Sequence, residues 1–401
     1  MKKILIIKDG LAIGGTTSSF LALLHVLDKQ QEFEISVWIN NLNGCEGLIP
    51  KNTHVIESNE LENAFRRGTG TVNKLHDLCL NRQILLYLQT KRLLKRSNSD
   101  KRLIPIYQKM DVRRAKRQKK INLKGFDAVI TWEEFYPAYL LAEAIQANKK
   151  IAWIHPDYIQ CGFDRQIDKP CFDKLDAVVA VSQCGRNSFC KTFPQMSDKF
   201  KSVSNYVDVW NMKKKATEEV TDMKKDLFTI VTVARIQNIS KAFDRAIRVA
   251  KRLKDNGETF RWYIIGGGED EAMIRALIVE QNLEQQVYLL GQKTNPYPYM
   301  KKADLFVLQS YYEGRPMVVD EALLLGTPVF VTNYASAIEQ VKEKFGWVVD
   351  NTEEAVYQGM VTLLRNSALV EEKRSYLLKL RAEEFQNPRY FLNMVNEVLA
   401  Q

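Results

Sequence analysis

The sequence has no apolar run as long as a membrane span. Its opening, Met1-Lys2-Lys3-Ile4-Leu5-Ile6-Ile7-Lys8-Asp9, reaches charge too soon to serve as a signal peptide and reads instead as a first buried strand. Cysteine is sparse and unpaired in spacing: Cys45, Cys79, Cys161, Cys171, Cys184 and Cys190 include no close C-x-x-C pair. The four histidines are scattered. That pattern speaks against a zinc site and for reduced cytosolic thiols. The spaced G-x-G-x-x-G fingerprint of dinucleotide-binding folds is absent too. What remains is 401 residues, 45% hydrophobic and 26% charged, enough for two domains with sizeable cores.

The net charge of +10 is concentrated. Lys91 to Lys120 holds 13 Lys or Arg against 2 Asp, a net of +11, so the rest of the chain carries −1. No aromatic platform or nucleic-acid motif accompanies these cations, which leaves nucleic acid well behind. Two readings stay open. The run is either a solvated helical face or a docking segment for an anionic membrane, with Leu93, Leu94, Leu103, Ile104, Ile106 and Tyr107 interleaved as an interfacial helix requires.

Elsewhere short apolar runs alternate with helical patterns. Lys2 to Lys8 predicts a strand, Asp9 to Ser18 a loop, and Ser18 to Leu27 a helix with Phe20, Leu21, Leu24 and Leu27 on one face. Gly14-Gly15 in that loop permits close backbone approach and positive φ, as a phosphate or an acceptor would need; a tight structural turn would look the same. Strands are expected at 33–40, 53–56, 126–131, 151–154 and 177–181, with helix across most of 61–120. Trp132 to Phe135 forms the loop after one of these strands, and His155 ends another. A charged connector at 213–225 precedes a second set of strands at 228–234, 261–265 and 287–291. Two successive sets of alternating strands and helices imply an α/β protein with two doubly wound parallel sheets.

The stretch from Leu305 to Phe330 carries the chemistry. Leu305 to Leu308 is a buried-strand pattern, Gln309 to Arg315 a loop, and Pro316 suits the first position of a helix that Gly326 and Pro328 terminate. Glu313 then lies at the carboxyl end of a strand, where open α/β sheets place ligands, and Glu321 lies inside the helix. The helix amino end offers unpaired N–H groups to an anion. Carboxylates accept hydrogen bonds from sugar and ribose hydroxyls, so the set suits a nucleotide-sugar. Two glutamates alone fit as well a Glu313 that only favours the helix dipole and a Glu321 that snorkels from a half-buried helix.

Glu313-Gly-x-Pro-x4-Glu321-Ala, followed by Gly326-x-Pro328, resembles the E-x7-E signature of retaining glycosyltransferases of family 4, of the bacterial polysaccharide and glycolipid type. The likeness extends to Arg235 and Lys241 of an Arg…Lys-Gly element, in which Ala234 and Ala242 replace glycines. It also covers the Gly266-Gly267-Gly268 turn, the Thr332 to Glu339 turn with Ser336 for glycine, Ala177 to Ser182, and the Asn205 to Asp208 hinge. It is strong in the second half and weak in the first.

The resemblance implies the GT-B fold, two Rossmann-like domains facing across a cleft with the last helix crossing back to the first. On this sequence that gives an acceptor-side domain at 1–208, a donor domain at 209–384 and a crossover helix at 385–401 whose contacts would come from Phe391, Met394, Val395 and Val398. It implies that Glu313 holds the donor sugar, Glu321 the ribose, and Arg235 with Lys241 the diphosphate. His155 would stand beside the donor sugar, with Gly14 and Gly15 lining the cleft. Gly314, Arg315, Pro316, Met317 and Val318 would contact the donor at the helix amino end, and the loop 292–299 with Lys293 would recognise the base. The implied activity is metal-independent, retaining transfer, without cofactor, of a sugar from a nucleoside diphosphate donor such as a UDP-sugar. The acceptor would be a hydroxyl of a glycan or lipid-linked glycan, in surface polysaccharide or cell-wall glycan synthesis. The setting would be cytoplasmic, with peripheral attachment to the inner face of the membrane. A sugar-nucleotide 2-epimerase of the same architecture and a non-catalytic nucleotide-sugar-binding protein remain the rivals.

Overall fold

The computed structural model describes residues 1–12, 14–66, 84–85, 87–89, 103–381, 386–387 and 389–401. The helix expected through 67–83, the first part of the basic run at 91–102, and Phe385 lie outside them. The chain divides into two compact units, Met1–Tyr206 with Pro388–Gln401, and Val207–Asn387.

In the first unit the strands are β1 (Lys2–Lys8), β2 (Phe33–Ile39), β3 (His54–Val55), β4 (Ile121–Asn122), β5 (Ala128–Thr131), β6 (Ile145–Gln146), β7 (Lys150–Ile154), β8 (Ala177–Ala180) and β9 (Phe200–Ser202). The described sheet runs β3-β2-β1-β5-β7-β8-β9 and is parallel, with β4 and β6 forming a separate short pair. β1 shows why. Ile4 and Ile6 enter one core and Leu5 and Ile7 the other, so both faces are covered, as a parallel sheet requires. The Gly15–Gln30 helix covers the first face with Phe20, Leu23, Leu24 and Leu27.

The Arg389–Ala400 helix joins that same core through Phe391, Leu392, Met394, Val395 and Val398. The Phe391 ring stacks on Trp153 at 5.8 Å between centroids. The last helix therefore belongs to the first unit. Each such buried side chain contributes about 1.5–3 kcal/mol.

The second part of the basic run forms the Leu103–Lys116 helix. Leu103, Val112 and Ala115 are buried, and Ile104, Ile106 and Tyr107 half-buried, so much of its apolar surface serves the protein's own packing. Gln108 anchors it: the Gln108 amide donates to Asp168 at 2.7 Å, beside donations to Asp168 from the hydroxyls of Tyr139 and Tyr158, each at 2.6 Å. Burial pushes the Asp168 carboxyl up to about 6, against the pull of those three hydrogen bonds.

In the second unit the strands are β10 (Phe228–Val233), β11 (Phe260–Ile265), β12 (Val287–Leu289), β13 (Leu305–Leu308), β14 (Val329–Thr332) and β15 (Gly346–Val349). Their order is β12-β11-β10-β13-β14-β15, again parallel. Along β13, Leu305 and Val307 face one core, Phe306 and Leu308 the other. The order reverses between β10 and β13, the switch point at whose carboxyl edge open α/β sheets bind ligands. In the first unit the equivalent switch lies between β1 and β5.

Candidate active site

The loops after β10 and β13 leave the sheet side by side at the second unit's switch point. The β10 loop leads into the Asn238–Lys241 helical turn, and Ala242 follows in the left-handed region at φ 52°. An alanine thus adopts a conformation that favours glycine. Lys241 ends this turn and forms an ion pair with Glu313 of the β13 loop. The Ser310 hydroxyl donates to the same Glu313 oxygen at 2.6 Å.

Arg235 opens the β10 loop. It is exposed and makes no ion pair among the described residues. Its backbone is fixed by the glycine turn after β11. A Cβ at Gly266, which has φ +148°, would fall 1.9 Å from the Ala234 carbonyl oxygen, and one at Gly268 would fall 2.3 Å from that of Ile236. The Ile236 N–H donates to the Gly267 carbonyl at 3.0 Å. The glycines therefore let the two turns touch.

The helix after Glu313 runs Met317–Leu324, with Pro316 as its N-cap. The sequence reading placed Pro316 one residue further in. No side chain caps this end; the Val319 N–H donates to the Pro316 carbonyl at 3.2 Å, and the Met317 and Val318 N–H groups have no side-chain acceptor among the described residues. The Pro316 carbonyl accepts from the Gln340 amide at 2.9 Å. Gly326, at φ +82°, ends the helix as expected. Met317 is buried and Val318 half-buried.

Glu321 does not snorkel. It is buried, and the Tyr297 hydroxyl donates to it at 3.2 Å. Burial is the main cause that pushes its carboxyl up to about 7; Tyr297 opposes the shift and Asp320 adds to it. Tyr297 was not singled out from the sequence, since no local pattern marks a residue 24 positions away as a partner.

Arg315 differs from expectation in its side chain. Its guanidinium forks onto Asp320 with bonds of 3.1 and 3.0 Å and lies 3.6 Å from Glu339. These partners hold it above the usual arginine range although burial pulls it down. The side chain is thus paired within the unit. Lys293 pairs with Asp222 at 2.7 Å, and Asp222 also accepts from the Tyr299 hydroxyl at 2.7 Å. No hydrogen bond links Lys293 to Glu321 or Glu313 among the described residues.

Gly14, Gly15 and His155 belong to the first unit. Gly14 caps the Gly15–Gln30 helix, its carbonyl accepting from Thr17 and Ser18 at 3.1 and 3.0 Å. Its φ of 160° is extended, not the positive-φ turn that glycine permits, and a Cβ there would meet nothing within 4 Å. The open helix end is its distinguishing property. His155, at the end of β7, places Nε2 2.7 Å from the Trp132 carbonyl, and its backbone N–H lies 3.4 Å from Glu134. Burial lowers its pKa, and against the Trp132 carbonyl oxygen, which can only accept, Nε2 is the donor. Sequence reasoning missed Lys8, which is fully buried and paired with Glu133 of the loop after β5. The signal was there: a lysine closing the apolar run Ile4 to Ile7 of the strand.

Among the described residues no group of three His, Cys, Asp or Glu could hold a metal, and no helix is long and apolar enough to cross a membrane.

Residues 213–379 match the family described as Glycosyl transferases group 1. The chain is 30% identical over 217 residues to the N-acetylgalactosamine-N,N'-diacetylbacillosaminyl-diphospho-undecaprenol 4-alpha-N-acetylgalactosaminyltransferase of Campylobacter jejuni, covering 53% of this chain and 57% of that one. It is 31% identical over 181 residues to the putative colanic acid biosynthesis glycosyltransferase WcaL of Escherichia coli, 43% of each chain. The chain thus spans about half the length of the curated relatives it matches. Among solved structures, Staphylococcus aureus TarM aligns over 100% of this chain and 99% of its own, with a TM-score of 0.69 at 15% identity. Anabaena HepE in complex with UDP and glucose aligns over 100% of both, with a TM-score of 0.65 at 13% identity. These likenesses show the fold, which is that of GT-B glycosyltransferases with two Rossmann-like domains.

Proposed function

We propose that this chain is a retaining glycosyltransferase that takes a sugar from a nucleoside diphosphate donor, UDP-linked in the first instance, and adds it to a hydroxyl of a lipid-linked or polymeric glycan. The observation that carries the proposal is the Lys241–Glu313 pair at the switch point, next to an uncapped helix end whose own helix carries the buried Glu321. Lys241, Arg235 and the helix end neutralise charge growing on the departing diphosphate. Glu313 accepts hydrogen bonds from the donor sugar, and Glu321 from the ribose diol. None of these steps needs a metal. The undecaprenol-linked substrate in the Campylobacter relative's name and UDP in the HepE complex support this choice of acceptor and donor.

A panel of nucleoside diphosphates in calorimetry tests the donor half. UDP binding with 1:1 stoichiometry is expected, and no binding to any of the panel overturns the reading.

The basic run would bring the enzyme to an anionic bilayer that presents the acceptor. In its described part the exposed cations are Lys109, Arg113, Lys116, Arg117, Lys119 and Lys120, while much of the apolar surface packs inward. Attraction would therefore be chiefly electrostatic, about 1 kcal/mol per engaged cation and lost at high salt. Flotation with anionic vesicles at low salt should recover the protein, and Gln at those six positions should reduce recovery. Equal recovery on neutral vesicles would leave a solvated face.

A further inference from the structure

Arg315 is drawn into the protein rather than toward solvent, although it sits two residues after Glu313 and just before the open helix end. Its fork onto Asp320 is bidentate, and both side chains are almost fully covered, 10% and 8% exposed. Asp320 is in the first turn of the Met317–Leu324 helix and directly precedes Glu321. A covered, unpaired carboxylate at that position would set a negative charge within one helical turn of the N–H groups offered to an anion. At such range, with little water between, the repulsion would be considerable. Arg315 cancels it. The second arm of the guanidinium reaches Glu339, and the neighbouring Pro316 carbonyl is held by Gln340, itself bonded by the Tyr334 hydroxyl at 3.0 Å. One side chain therefore sets the charge of the helix end and ties its loop to the turn after β14.

We propose that Arg315 is a positioning residue for the diphosphate site. It acts through Asp320, neutralising that carboxylate and fixing the loop between Glu313 and Glu321, and it does not itself touch the donor. This rests on the nucleotide-sugar reading above and names residues that reading leaves without a role: Asp320, and more weakly Glu339.

The test is a double-variant cycle read by calorimetry with UDP. Arg315→Met leaves Asp320 covered and unpaired, and UDP affinity should fall about tenfold or more, as expected when one partner of a buried charged pair is lost. Arg315→Met combined with Asp320→Asn removes both charges, and affinity should return to within about threefold of wild type. Arg315→Lys keeps the charge without the fork and should fall between. The binding stoichiometry should stay at the wild-type value throughout, since a variant that merely misfolds lowers the competent fraction rather than the affinity of what remains. If the double variant stays as weak as Arg315→Met while stoichiometry holds, Arg315 contacts the phosphates directly and the proposal is overturned. If Arg315→Met binds UDP as wild type does, Asp320 needs no neutralising and the proposal is likewise overturned. A wild-type protein that binds no nucleoside diphosphate would overturn it together with the functional reading.

Discussion

Lys241 and Glu313 meet across the loops that leave β10 and β13, each supplying the other's counter-charge, with Ser310 closing on the same carboxylate oxygen. The pair makes the two roles separable. On the proposed reading Lys241 supplies the cation a diphosphate requires, and Glu313, its ion-pair partner, holds it in place and partly neutralises it.

Lys241→Ala should therefore weaken UDP binding and slow turnover together, by about 1.5–3 kcal/mol, the worth of a hydrogen bond to a charged group. Glu313→Gln should do something different. It releases Lys241, so UDP binding should stay at least as tight as in wild type, while turnover at saturating donor falls. Calorimetry beside steady-state kinetics separates the two, and a Glu313→Gln variant that loses UDP binding would mean that the roles are exchanged.

Glu321 gives a pH dependence with a definite sign. Its folded pKa, about 7, lies above the ordinary glutamate value of 4.5. Between these values the folded state keeps a proton that the unfolded state has lost. Stability is then fully present below 4.5 and declines as pH rises toward 7, by at most about 1.4 kcal/mol per pH unit. Asp168, also raised, to about 6, adds a parallel decline at lower pH. The informative window is therefore pH 6 to 7. Urea midpoints should fall across it in wild type and stay level in Glu321→Gln; parallel slopes would show that Glu321 is ionised throughout.

The glycine turn after β11 separates two neighbouring residues. A methyl at Gly266 would collide with the Ala234 carbonyl at 1.9 Å, whereas one at Gly267 would find its first neighbour at 3.7 Å. Gly266→Ala should cost about 2–3 kcal/mol or more by overpacking, and should weaken UDP binding by displacing Arg235. Gly267→Ala should change either by little. Thermal unfolding of the two variants side by side checks this.

Much of the architecture was legible because parallel strands buried on both faces leave short apolar runs, and because the Arg389–Ala400 helix spaces its apolar residues on one face. Glu313, Lys241 and Glu321 were legible through the family resemblance, since the charges taken alone fit a solvated helix end as well. What the sequence hid was partnership. Arg315 and Asp320 are five apart, across a helix start, where no helical-face rule pairs them. Lys8 meets Glu133 across 125 positions, and Glu321 meets Tyr297 from another helix, contacts that the sheet order creates. Gly14 misled in the opposite direction: its doublet suggested a left-handed turn, and the backbone there is extended.

The account's central claim is sugar transfer from a nucleoside diphosphate donor to a glycan hydroxyl. The most direct measurement incubates the purified protein with UDP-sugars, with and without a lipid-diphosphate-linked glycan acceptor, and follows released UDP and the acceptor's mass and anomeric signals. The account predicts acceptor-dependent UDP release, one added sugar, and an anomeric configuration matching the donor. A donor converted to its epimer without acceptor, or a new bond of inverted configuration, would contradict it.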